Sequence, residues 1–149
     1  YSTFSEYYKS PGKTGEALDS DGWFHSGDMI SIDEDGQLMF HGRLRDMLKV
    51  GGENVAAVEI ESCLQAHEAV KLAQVVPLPD PRLIEVPVAF IELEAGKQTD
   101  EAELIAFCKA RIAGFKVPRH VRFVSEWPTS STKIQKFRLQ DQIKEELGL

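Results

Sequence analysis

Lys133 stands in the stretch "WPTSSTKIQKFRL", after four consecutive hydroxyl residues, Thr129 to Thr132, and before the basic run Lys136, Phe137, Arg138. A proline and a Ser/Thr cluster mark a loop, so a cation sits on a segment with almost nothing to fold with. Read alone, it is a surface lysine on a solvated linker or a charge presented for chemistry. Asp28 follows Gly27 and reads equally as a turn residue. Gly51 and Gly52 form a turn signal whose missing side chains also permit close backbone approach. In "GFKVPRHVRFV", Phe115 is flanked by Lys116, Arg119 and Arg122: a core aromatic with surface cations, or a binding patch. His25, His41, His67 and His120 have no triad partner at recognisable spacing, and the histidines and cysteines show no metal-ligand spacing.

At 149 residues the chain has room for one ordinary domain, or for a domain and a piece of another. With 42% hydrophobic and 28% charged residues it reads as a folded, soluble protein. No apolar run approaches the roughly 18 residues needed to span a bilayer. The opening "YSTFSEYYKS" lacks a signal peptide's basic and apolar regions; its initial tyrosine suggests a piece of a longer protein. Cys63 and Cys108, each within a helical pattern, read as reduced core residues. The net charge of −7 argues against a general nucleic-acid binder. Its distribution is uneven: residues 109–149 hold nine Lys/Arg against four Asp/Glu, and residues 1–108 hold eight against twenty. A basic end on an acidic chain can hold a polyanionic small molecule such as a nucleotide, or be a solvated face.

The elements that must position these residues follow from patterning. Residues 1–22 carry weak periodicity. "GWFHSGDMISIDEDGQLMFHGR" predicts two short strands around Asp35-Gly36, and "DMLKV" a third ending at Gly51-Gly52. Asn54 is expected to cap a helix with Ala57, Ile60, Cys63 and Leu64 on one stripe, and Glu59 and Glu61 as N-terminal helix charges rather than catalytic acids. "VKLAQVVPL" and "VPVAFIELE" predict an antiparallel pair, with Pro87 marking an edge or a strand start. Thr99 or Asp100 opens a helix with Leu104, Ile105, Cys108 and Ile112. "HVRFV" is a short strand, and a last amphipathic helix carries Leu139, Ile143 and Leu147. The predicted class is α+β, a small, mainly antiparallel sheet with helices packed on it, preceded by a β-hairpin segment.

Four segments, "GWFHSGD", "FHGRLRDMLKVGGENVAAVEIE", "GFKVPRHVRFV" and "PTSSTKIQKFRL", resemble in order and spacing the acyl-CoA synthetases of the adenylate-forming superfamily. The resemblance covers essentially the whole chain. It implies that residues 1–44 are the tail of a large N-terminal adenylation domain and 45–149 a mobile C-terminal domain. It further implies a two-step ligase using ATP, Mg2+ bound mainly by the rest of the large domain, and coenzyme A. A carboxylate attacks the α-phosphate of ATP, giving an acyl-adenylate and pyrophosphate; the coenzyme A thiol then displaces AMP.

By the same resemblance Lys133 is the adenylation lysine, a point charge on a flexible stem that bridges carboxylate and phosphate oxygens. The family usually has Gly before this lysine and one more residue after the proline; here Thr132 stands there and the loop is shorter. Asp28 matches an acid that accepts the ribose hydroxyls of ATP or AMP, and Arg43 a second nucleotide-facing residue. Arg45 falls at the hinge, where Asp or Lys is more usual, with Asp46 the neighbouring alternative. Lys49, Gly51 and Gly52 resemble the loop that enters the site for thioester formation. Phe115, Lys116 and Arg119 match positions touching the nucleotide end of coenzyme A, where adenine can stack and a phosphate can pair with Arg; Arg122 extends the patch. No residue is expected to bind metal. The implied partners are a carboxylate, ATP, coenzyme A and the chain's own N-terminal domain, in the cytoplasm, without nucleic acid or a transmembrane segment; homo-oligomerisation stays open. The phosphate-gripping loop and acyl pocket would lie upstream, so the piece alone is expected to be inactive. Two alternatives remain: an adenylation domain that loads a carrier-protein phosphopantetheine, and a non-catalytic module using the fold.

Overall fold

The computed structural model describes residues 3–131 and 133–149 and divides into two compact units, Tyr1–Arg45 and Asp46–Leu149. In the first, α1 (Pro11–Ala17) is followed by the antiparallel strands β1 (Asp28–Ile32) and β2 (Leu38–Arg43). The sequence reading missed α1, since it buries nothing and so leaves no apolar stripe. Asp33 organises the β1–β2 turn, its Oδ1 accepting from the N–H groups of Asp35 at 3.0 Å and Gln37 at 2.8 Å.

The second unit begins with a short 3-10 turn's last residue, Asp46, then β3 (Met47–Val50) and β4 (Glu53–Ala56). This corrects the expected helix cap at Asn54: Asn54 pairs with Lys49 across a hairpin, and Ala56 precedes the helix without a side-chain cap. The two-residue loop explains it. Gly51 and Gly52 have φ of 61° and 93°, the positive values that let such a turn match the strand twist. There follow α2 (Ala57–Gln65), β5 (Val70–Asp80), β6 (Ile84–Leu93), α3 (Glu101–Lys109), β7 (His120–Phe123), β8 (Thr129–Ser130), β9 (Lys133–Ile134) and α4 (Lys136–Leu147). The hydroxyl loop is thus a small hairpin, pairing Thr129 with Ile134 and Ser130 with Lys133. Thr132, the residue in place of the family's usual glycine, lies outside the described residues.

The sheet order is β4-β3-β6-β5, with β7 parallel to β6. The apolar runs of β5 and β6 are nearly continuous because both faces of these strands are buried. Ala73, Val75, Ala89 and Ile91 pack into one core cluster with Ile60 and Leu64 of α2 and Leu104 and Cys108 of α3. Val76, Leu78, Val86, Val88 and Phe90 pack into a second with Leu139 and Ile143 of α4. The class is α+β, as expected, with three strands more than patterning gave, β4, β8 and β9. Pro87 marks neither an edge nor a strand start: it lies inside β6, opposite Pro77. Two facing prolines have no N–H to exchange, and Pro87 O instead accepts from Arg119 N at 2.8 Å. Asp100, not Thr99, caps α3, accepting from Glu103 N at 2.8 Å. The Sγ atoms of Cys63 and Cys108 stand 4.0 Å apart as free thiols, and burial, then Cys63, push the Cys108 thiol up to about 12.

Candidate functional site

In the first unit the β1–β2 register sets Asp28 directly opposite Arg43. Arg43 Nε lies 3.1 Å from Asp28 Oδ1, close enough for ion pairing but not directed as a hydrogen bond. Asp28 Oδ1 is buried and, among the described residues, receives no hydrogen bond. A buried carboxylate oxygen without a donor is costly, and it is chemically suited to accept a hydroxyl from a ligand. Asp28 and Arg43 are therefore brought together, as the sequence reading paired them in function.

Arg45 and Asp46 lie in the 3-10 turn Leu44–Asp46, and the division between the two compact units falls between them. Immediately after, Lys49 is exposed on β3, and its N–H donates to Glu85 Oε2 at 2.7 Å. Gly51 N donates to Leu83 O at 2.7 Å, and Val50 pairs with Ile84. The glycine turn is thus tied to the β5–β6 turn, a tertiary contact that no spacing in the sequence announces. Open space surrounds the position of a Cβ at Gly52, whereas one at Gly51 would meet Leu83 Cδ2 at 3.4 Å.

Phe115 and Arg119 line a cavity of about 290 Å³ with Val50, Leu83, Ile105 and Lys109. The cavity wall therefore includes both the residue preceding Gly51 and the β5–β6 turn. An apolar lining with two flanking cations can take a ring and an anion together. Lys109 is the residue here that sequence reasoning missed; its place in the last turn of α3 masked it as an ordinary helix-end cation. Lys116 and Arg122 are not among the lining residues. Lys116 Nζ contacts both carboxylate oxygens of Glu59, at 2.7 and 2.8 Å, and Arg122 grips Glu146 of α4 at 2.6 and 2.8 Å. Lys133 is exposed on β9.

Among the described residues no group of three His, Cys, Asp or Glu is arranged to hold a metal ion. No metal contact is assigned to these residues. No helix among the described residues is long and apolar enough to cross a membrane.

The second unit is a small sheet with helices on both faces, and residues 59–133 match the AMP-binding enzyme C-terminal domain. The chain belongs to that family. It is 41% identical over its whole length to the mitochondrial medium-chain acyl-CoA ligase ACSF2 of Macaca fascicularis, spanning 24% of that protein. It is 43% identical to the putative acyl-CoA synthetase YngI of Bacillus subtilis, again over its whole length and 27% of that protein. The structure of ATP-bound MatB from Rhodopseudomonas palustris aligns with 97% of this chain, and 29% of its own, at a TM-score of 0.88 and 32% identity. The chain thus spans about a quarter of the length of the curated relatives it matches.

Proposed function

We propose that this chain is the C-terminal part of an ATP-dependent carboxylate–coenzyme A ligase, forming an acyl-adenylate and then an acyl-CoA thioester. The observation that carries the reading is similarity at 41–43% identity along all of the chain to two proteins named as an acyl-CoA ligase and an acyl-CoA synthetase. Residues 1–44 are the end of the adenylation domain and 45–149 a mobile domain that serves both steps in turn, with Arg45 or Asp46 as the hinge.

In the first step Lys133 sets its ammonium between carboxylate and phosphate oxygens, where negative charge builds as the P–O bond forms. Its exposure on a short hairpin supports this, because the charge is free to reach a ligand. Asp28 accepts a ribose hydroxyl, a role supported by its buried oxygen without a donor, and Arg43 contacts the nucleotide beside it. In the second step the turn at Gly51 and Gly52, with Lys49, lines the path of the pantetheine arm. Phe115 and Arg119 hold the adenine and a phosphate of coenzyme A in the 290 Å³ cavity. Lys116 joins them only by leaving Glu59. The test is AMP release by the intact protein containing this chain, measured over a panel of carboxylates with and without coenzyme A. Release that needs both one carboxylate class and coenzyme A is expected; turnover supported only by a carrier-bound phosphopantetheine would reject the coenzyme A assignment.

A further inference from the structure

Helix α2 carries two glutamates with no part in the proposed chemistry; one reaches Lys116 of the candidate site and the other reaches Lys136, close in sequence to Lys133. Glu59 holds Lys116. Glu61, two residues on, is the one charged residue that is buried among the described residues, at 8% exposure. Its Oε1 accepts from the N–H of Val75 in β5 at 2.8 Å and from Lys136 Nζ at 2.6 Å. Lys136 is the first residue of α4, three positions after Lys133.

The geometry around Lys133 shows why this matters. Strands β8 and β9 share only two residue pairs, too few to hold a shape unaided. Their base is fixed instead. Gln135 N donates to Pro128 O at 2.8 Å, and Trp127 and Ile134 pack against the second core cluster. Trp127 Nε1 also donates to Glu92, and a further tie is the ion pair of Lys136 with Glu61. Gln135, between the two lysines, leaves its buried Oε1 without a hydrogen bond among the described residues.

We propose that Glu61 is a positioning residue for Lys133. Anchored on the edge strand β5 through Val75 and bonded to Lys136, it fixes the point from which the hairpin presents the lysine. Glu59 does the corresponding work for Lys116 from the same helix, so α2 relates the two halves of the site without touching either substrate. The inference rests on the adenylation role proposed for Lys133.

The test uses the full-length protein containing this chain, with Glu61→Gln, Lys136→Arg and the double variant Glu61→Gln/Lys136→Met. Glu61→Gln is expected to slow ATP–pyrophosphate exchange on the order of 10- to 100-fold, the usual cost of misplacing a catalytic group by about an ångström. Thioester formation from supplied acyl-adenylate should continue, and amide hydrogen exchange at residues 129–131 and 133–134 should quicken while β5 and β6 keep their protection. Lys136→Arg, which preserves the pair, should retain most of the exchange activity. The double variant leaves no charge buried alone, so it should regain thermal stability without regaining adenylation. Recovery of adenylation together with stability would overturn the proposal, leaving the pair a stabilising contact only. Unchanged hydrogen exchange in the hairpin of Glu61→Gln would overturn it too. If Lys133→Ala leaves pyrophosphate exchange intact, the role of Lys133 falls, while the hydrogen-exchange result still decides whether Glu61 anchors the hairpin.

Discussion

Ile84 has φ of 71° and is 60% exposed, an unfavourable conformation for a β-branched residue with little burial in return. The turn that precedes it is held by hydrogen bonds. Asp80 Oδ1 accepts from the N–H groups of Arg82 and Leu83, each at 2.8 Å, and Leu83 O accepts from Gly51 at 2.7 Å. Those donors hold the Asp80 carboxyl below its ordinary range, Leu83 N–H first. Ile84→Gly relieves the strain, and after glycine's entropic cost a net stabilisation of about 1 kcal/mol is expected, read as a higher urea midpoint. An unchanged or lower midpoint would show that the turn does not strain this residue. At this scale Lys133, Asp28 and Arg43 were singled out by motif resemblance, and the β1–β2 register sets Asp28 opposite Arg43. The partners of Lys116 and Arg122 were not: Glu59 and Glu146 lie 57 and 24 residues away in sequence, and no local pattern encodes such pairs.

The β8–β9 hairpin depends on its flanks. Trp127 Nε1 donates to Glu92 Oε2 at 2.5 Å, and Lys71 holds the other oxygen. The hydrogen bond from Lys71, then that from Trp127, keep the Glu92 carboxyl below its ordinary value of 4.5. A carboxylate whose folded pKa is depressed stabilises above its unfolded value and loses that contribution as pH falls through the folded one. Trp127 is therefore expected to loosen as pH drops below 4.5, seen as a fluorescence change on acidification below that value that Glu92→Gln abolishes. A transition surviving in that variant would place the titrating group elsewhere. Most elements were readable because alternation and 3.6-residue stripes record burial. β4 was missed because Glu53 and Asn54 face solvent and only Val55 of the strand is buried. The Gly-Gly hairpin signal preceding it outweighed the cap signal of Asn54.

Across the whole molecule the core is unevenly shared. Every buried hydrophobic residue among the described ones lies in the second unit, between Leu48 and Ile143. In the first unit, Ile32, Leu38 and Met39 are 60–67% exposed, and a two-stranded hairpin alone is marginal in water. Residues 46–149 expressed alone should consequently unfold in urea with one cooperative transition near that of the full chain. A broad, non-cooperative melt would contradict the division. The charge asymmetry seen in composition was legible, but its meaning was not, because the cations it counts split between structural pairs such as Arg122–Glu146 and the lining residues Lys109 and Arg119. The central claim is that one small domain contributes a lysine to adenylation and a glycine turn to thioester formation. The measurement that tests it is the pair of half-reaction rates of Lys133→Ala in the full-length protein. The account predicts a loss on the order of 100-fold or more in ATP–pyrophosphate exchange, as for removal of a group that stabilises developing charge, with thioester formation from supplied acyl-adenylate retained. Equal loss in both half-reactions would contradict it.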